Sequence, residues 1–218
     1  MGRVLVVTAV EAERAAFERG LAEVPAAVRT AATLLVGGVG AASAAAATAA
    51  ALAVEPYGVV VNAGIGGAFP ESARLGDLLV AERIIAADLG ADSPEGFLSV
   101  QELGFGTNVY PAVAPEGLKS TATYEVVHGD LLTVTTATGT AQRAAWLRAH
   151  HPAAVGEAME GYGVAVAAAR TGLPVAEVRA VSNPVGPRDR TAWRIGEALA
   201  VLSAAAGPTV EGLISWTR

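Results

Sequence analysis

A carboxylate standing where a strand gives way to a helix can grip a sugar hydroxyl or take a proton from water, and this 218-residue chain offers that arrangement more than once. The fullest case is Ala154-Val155-Gly156-Glu157-Ala158-Met159-Glu160-Gly161-Tyr162-Gly163, where a short apolar run stops at acidic residues. The helix formers Val164 to Arg170 follow, and Gly172 and Pro174 stop them. Ligands of open α/β sheets bind outside the carboxyl ends of strands, so Glu160 is placed to reach a ligand hydroxyl while apolar Met159 presses on a ring. A first-turn Glu that merely complements the helix dipole fits the same letters.

Glu11 and Glu13 repeat the pattern after the β-branched run Arg3 to Thr8, which reads as a strand buried on both faces. Asn183 closes a third buried strand, Val175 to Ser182, and opens the loop Pro184-Val185-Gly186-Pro187-Arg188-Asp189-Arg190. A turn-starting Asn-Pro is the plain alternative for Asn183. The strand Gly58 to Ala63 runs into Gly64-Ile65-Gly66-Gly67, read as a glycine-rich loop. It fails as a dinucleotide fingerprint, because Ala68-Phe69-Pro70-Glu71 opens no long helix and no βαβ unit with an acidic ribose ligand follows.

The elements that must position these residues come from the same pass. Strands are expected at Ala32 to Val36, Leu78 to Ala86 and Tyr124 to Thr136. Helices are expected from Glu11, over Ala41 to Val54 after the turn Gly37-Gly38-Val39-Gly40, over Thr140 to His150 with Trp146 and Leu147 facing inward, and from about Thr191. Gly207-Pro208 should kink or interrupt that last helix. Leu89 to about Ala122 reads as one long irregular segment.

Composition narrows the chemistry. At 52% hydrophobic and 17% charged residues, the chain fits one α/β domain with a large core. Having no Cys and three His (His128, His150, His151), it has no thiolate site or disulfide framework, and a zinc mechanism is not expected. A formal charge of −6 and a single lysine, Lys119, argue against a nucleic-acid partner. The opening residues turn acidic at Glu11, so no signal peptide is expected, and Thr30 to Val54 is too poor in large aliphatics to read as a membrane span. A cytoplasmic protein acting on a small molecule is the expectation.

Taken in order, Thr8-Ala9-Val10-Glu11-Ala12-Glu13, Gly37 to Gly40, Val61-Asn62-Ala63-Gly64-Ile65-Gly66-Gly67, Ala158-Met159-Glu160-Gly161 and Arg179-Ala180-Val181-Ser182-Asn183 resemble the nucleoside phosphorylase and nucleosidase family. The likeness is to its hydrolytic branch, which includes 5′-methylthioadenosine/S-adenosylhomocysteine nucleosidase. It implies a single nucleosidase domain over residues 1–218, built as a three-layer sandwich with a mixed central β-sheet flanked by helices. It also implies a cofactor-free, metal-free N-ribosyl hydrolase that assembles as a homo-oligomer. Glu13 matches the family's general base, Glu160 the carboxylate on the ribose hydroxyls, and Gly64, Ile65, Gly66, Gly67, Thr138 and Met159 its substrate contacts.

Three departures refine the resemblance. Where adenine-specific relatives carry an Asp, Asn183 can donate to both purine N7 and a 6-oxo oxygen, which suits hypoxanthine. The segment Thr135 to Thr140 lacks their stacking aromatic, leaving Phe97, Phe105 and Tyr110 as substitutes among which the sequence does not choose. Arg188 and Arg190 near Trp193 combine carboxylate forks with a flat apolar face, as an aromatic acid on the nucleoside would need; a solvated arginine pair flanking Asp189 is the other reading. The set resembles the futalosine-cleaving members of the family, which serve menaquinone biosynthesis. An adenine-releasing nucleosidase and a noncatalytic nucleoside-binding protein are the alternatives.

Overall fold

The computed structural model describes residues 2–217. Its strands and helices alternate as β1 (Val4–Thr8), α1 (Glu11–Ala22), α2 (Ala26–Ala31), β2 (Ala32–Val36), α3 (Ala41–Val54), β3 (Val59–Ala68), β4 (Leu78–Ala86), β5 (Gly90–Ser93), β6 (Gly96–Ser99), β7 (Val109–Pro111), β8 (Val126–Thr133), α4 (Ala141–His150), β9 (Ala154–Ala158), α5 (Gly161–Arg170), β10 (Val175–Pro184) and α6 (Ile195–Ile214). Local chemistry sets several of these limits. Thr140 caps α4 by accepting from the Arg143 N–H at 3.1 Å, and Gly172 takes φ +71° just past the end of α5.

The central sheet is mixed, as expected. Its strands run in the order β10-β4-β8-β9-β3-β1-β2, with β7 on the outer edge of β4. Strand β10 also pairs with β3, so β3, β10, β4, β8 and β9 close on themselves while β1 and β2 extend the parallel side. One face is covered by α1, α2 and α6, whose Phe17, Leu21, Leu202 and Leu213 pack with Val4, Val61 and Val178. The other is covered by α3 and α5, where Ala44, Val164 and Ala168 meet Leu5, Val60 and Leu79. Continuous apolar strands are what a sheet covered on both faces requires.

Four expectations need correction. Gly64 to Gly67 is not a loop but the second half of β3, because its backbone groups pair with β10 and, at its end, with β9. The irregular stretch after Leu89 contains the β5–β6 hairpin and β7. The last helix starts at Ile195, behind a single 3₁₀ turn at Arg190–Ala192. It then runs unbroken through Pro208: the ring and Ala204, whose carbonyl loses its partner, both face solvent, while Ala205, Ala206, Thr209 and Val210 anchor the buried side. The stretch Ile195–Thr217 is long and apolar enough to cross a membrane by length and composition, but here its apolar face is the core beside α1.

Candidate active site

A cavity of about 420 Å³ opens where β3, β9 and β10 end. Glu13, Ile65, Gly66, Gly67, Thr138, Met159, Glu160, Asn183, Arg188 and Trp193 all line it, so ten of the residues singled out in the sequence come together. Gly64 and Arg190 do not. Gly64 lies behind the wall, where a Cβ would come within 2.5 Å of Glu13 Oε1 and 2.7 Å of Arg179 Nη1. Arg190 stands exposed on its 3₁₀ turn, outside the lining.

Glu13 is only 3% exposed, and backbone amides fix its carboxylate. Its Oε2 accepts from Ala9 N–H at 2.8 Å and Val10 N–H at 3.2 Å; its Oε1 accepts from Ile65 N–H at 2.9 Å. As the third residue of α1 it reaches back to the cap position, which is why a Glu there folds toward the strand end instead of into water.

Glu160 is the residue before α5, and at 4% exposure it is no solvated first-turn acid. Its Oε1 accepts from Gly40 N–H at 3.1 Å, so the turn at Gly37 to Gly40, with φ +85° at Gly38 and +89° at Gly40, brings its backbone to a carboxylate. Its Oε2 lies 3.2 Å from Nη2 of Arg179.

Arg179 is the residue the sequence reading passed over. Only 1% exposed, it pairs through Nε with Glu177 Oε1 at 2.9 Å, through Nη2 with Glu160 and the Asn62 side-chain oxygen, and through Nη1 with Ile65 O at 3.4 Å. Burial works against its charge, yet the carboxylates of Glu177, Glu160 and Glu13 keep its pKa above the ordinary value. Burial pushes the Glu177 carboxyl up, against the pull of Arg179, and its Oε2 has no hydrogen-bond partner. The signal was present in the letters: Asn62, Glu177 and Arg179 are polar residues inside strands that otherwise read as buried on both faces.

On the opposite wall Glu157 is also buried. Its Oε1 accepts from Thr138 N–H at 2.7 Å and its Oε2 from the Thr138 hydroxyl at 2.6 Å; burial raises its pKa. Asn183 Oδ1 accepts from the Ser182 hydroxyl at 2.9 Å and its Nδ2 donates to the Pro184 carbonyl at 3.1 Å, which leaves one Nδ2 hydrogen to give. Arg188 sits at the mouth with its guanidinium 5.8 Å from the Trp193 ring centroid, and Asp189 spends its carboxylate on Thr191 instead of on either neighbouring arginine. The three candidate stacking aromatics lie elsewhere. Phe97 packs edge-on to Trp146, Tyr110 packs on Tyr162, and Phe105 is 81% exposed; Trp193 is the aromatic in the lining. Trp146 itself is only partly buried, stacked on His150. Among the described residues no group of three or more His, Asp or Glu is placed to hold a metal ion.

The model of the phosphorylase superfamily matches residues 4–215. A futalosine hydrolase of Streptomyces coelicolor is 56% identical over 188 residues, covering 84% of this chain and 80% of that one. One from Acidothermus cellulolyticus is 49% identical over 208 residues, covering 89% and 85%. Among solved structures, a 5′-methylthioadenosine/S-adenosylhomocysteine nucleosidase of S. pneumoniae superposes with a TM-score of 0.78 at 16% identity, covering 97% of this chain and 99% of that chain. The futalosine hydrolase of Helicobacter pylori superposes with 0.77 at 14%, covering 98% and 97%, a likeness of fold. The chain belongs to the phosphorylase superfamily and, within it, to the family of the futalosine hydrolases.

Proposed function

We propose that the chain, as one nucleosidase domain, hydrolyses the N-glycosidic bond of futalosine and releases hypoxanthine. The observation that carries hydrolysis over phosphorolysis is the charge of the cavity floor. Glu13 and Glu160 face the cavity, and the one guanidinium beneath them is already held by Glu160, Glu177 and Asn62. At that floor a phosphate dianion would meet two carboxylates and, among the described residues there, no free cation, Arg188 being at the mouth; neutral water meets an acceptor.

In this reading the C1′–N9 bond breaks as water oxygen bonds to C1′, and Glu13 takes the proton that the water loses. Positive charge grows on the ribosyl ring in between, and the ionised Glu160, held by Arg179 and Gly40, offsets it while gripping the ribose hydroxyls. Negative charge moves to the departing base. Asn183 Nδ2–H hydrogen-bonds N7 and O6 without giving up its proton, so the base is neutralised from solvent. Met159 and Ile65 supply apolar contact, Gly66, Gly67 and Thr138 shape the base end, and Arg188 with Trp193 receives the carboxyaryl end. The same reading makes the protein a cytoplasmic homo-oligomer of menaquinone biosynthesis, working without cofactor or metal.

The test is to incubate the purified protein with futalosine, inosine and methylthioadenosine, with and without phosphate, and to identify products by chromatography. Hypoxanthine from futalosine, at a rate indifferent to phosphate, is expected. Adenine from methylthioadenosine as the main product, or a ribose 1-phosphate product, overturns the reading.

A further inference from the structure

Glu157 has no part in the chemistry above, yet it is a buried carboxylate in the cavity wall. The sheet register places it. Gly67 of β3 pairs with Glu157 of β9 on one side and with Asn183 of β10 on the other. Paired residues on neighbouring strands project to one face, and two strand spacings put the Glu157 and Asn183 Cα atoms about 10 Å apart. Gly67 lies between them and lines the cavity; a Cβ there would already meet Asn183 Nδ2 at 3.0 Å. The result is a flat seat without a side chain, flanked by an amide on one side and a carboxylate on the other.

Thr138 fixes what the carboxylate can do. Its N–H and hydroxyl each occupy one lone pair, one on each oxygen of Glu157. In the ionised form, which the two Thr138 donors favour against the burial that disfavours it, the carboxylate has about four acceptor positions, so it retains acceptor capacity and, with no proton of its own, accepts only. A ring group facing it must therefore donate. A 6-oxopurine carries such a donor at N1–H, next along the ring from the N7 and O6 that suit Asn183; a 6-aminopurine presents a bare N1 lone pair there and would be repelled.

We propose that Glu157 reads the N1–H of a 6-oxopurine and is a specificity-determining residue of this site. The proposal rests on the reading that a 6-oxopurine is the leaving base, and it assigns the choice of base to two residues on opposite sides of Gly67 instead of to Asn183 alone. Neither half suffices: an Asn amide can turn over to present its oxygen to a 6-amino group, but a carboxylate cannot become a donor without taking up a proton.

The experiment has two arms. In the wild type, calorimetric titration compares hypoxanthine with 1-methylhypoxanthine, which replaces N1–H by a methyl, and with adenine, which lacks the N1–H and adds no bulk there. Both controls should bind weaker by about tenfold or more. In Glu157→Gln, the amide must serve the two Thr138 donors and the base with a single oxygen. The ratio of kcat/KM for futalosine to that for its 6-amino counterpart should then fall by about tenfold or more, and the preference for hypoxanthine over adenine should shrink with it. A role limited to holding the Thr138 loop would lower both substrates together and leave the ratio unchanged, which overturns the proposal. If Glu157→Gln does not fold, the wild-type titration decides alone, and equal binding of hypoxanthine and adenine overturns it. Failure of the wild type to release hypoxanthine from futalosine overturns the functional reading instead, a separate observation.

Discussion

Arginine occurs at both ends of this cavity, and the two ends use it differently. Arg179 beneath the floor is sealed from water among Glu160, Glu177 and Asn62, and removing any partner would strand a buried charge. Arg188 at the mouth is exposed, touches an aromatic face and has no carboxylate partner among the described residues. The floor is therefore organised before substrate arrives, in a poorly screened environment where charges act strongly. The mouth is wet, and its contacts form only when a ligand brings its own charge. Substitutions in the floor should change turnover, and substitutions at the mouth should change binding.

The largest effect is expected at Glu13. Glu13→Gln keeps the shape and most backbone contacts but cannot accept a proton, so kcat should fall by roughly 10³-fold or more while nucleoside affinity stays within about tenfold. Single-turnover kinetics with a calorimetric Kd measures both, and a near-normal kcat would take Glu13 out of the chemistry. Glu160→Gln should cost roughly 10²-fold or more in kcat, because a neutral amide cannot offset ribosyl cation character. A rise in KM at unchanged kcat would mean the residue only holds the sugar.

Asn183→Asp tests the base end. An ionised Asp facing N7 and O6 loses a donor and adds repulsion, together on the order of 2–4 kcal/mol, or roughly 30- to 1000-fold in kcat/KM for the 6-oxopurine nucleoside. The 6-amino counterpart should suffer less. Equal losses on the two substrates would mean that Asn183 does not read the base.

The buried charge also leaves a mark on stability. Burial raises the Glu177 carboxyl above its ordinary value of 4.5, so the folded protein holds that proton more tightly than the unfolded chain does. From pH 4.5 up to the raised folded value, the unfolded state binds fewer protons, and folding stability must fall as pH rises. Glu177→Gln removes that contribution, so the decline of Tm over this window should be shallower in the variant. An unchanged slope would show that Glu177 does not titrate there.

How much of this was legible depends on which side of a strand a residue occupied. Period and punctuation located β2 and α3 residue for residue: Gly37 follows the first, Gly40 precedes the second and Glu55 follows it, signals that local chemistry reads. Glu13 and Glu160 stood out as acids at strand ends. Gly64 to Gly67 looked like a loop because glycine is a turn signal, whereas here it is the absence of a Cβ that lets Glu13, Arg179 and Asn183 approach β3. That requirement comes from segments far along the chain, 52 residues from Ile65 in the case of Glu13 and 117 for the pairing of Arg179 with Asn62, and a local window cannot contain it. Arg188 and Arg190 looked equivalent in sequence. The 3₁₀ turn capped by Asp189 separates them, with Arg188 in the lining and Arg190 outside.

That separation yields the smallest and most selective effect. Arg188→Ala removes the guanidinium to which the proposed function assigns the substrate carboxylate; with water screening the pair at the mouth, KM for futalosine should rise by about tenfold with kcat little changed. Inosine, which lacks the carboxylate, is the control and should be cleaved as in the wild type. Arg190→Ala should leave both substrates within about twofold, since its side chain is outside the lining and in solvent. Steady-state kinetics on the two substrates with the two variants separates the outcomes. If Arg190→Ala raises KM for futalosine as much as Arg188→Ala does, then the turn rearranges on binding to bring both arginines to the carboxylate. If Arg188→Ala instead lowers kcat on inosine as well, the mouth is coupled to the floor and the division of labour drawn above fails.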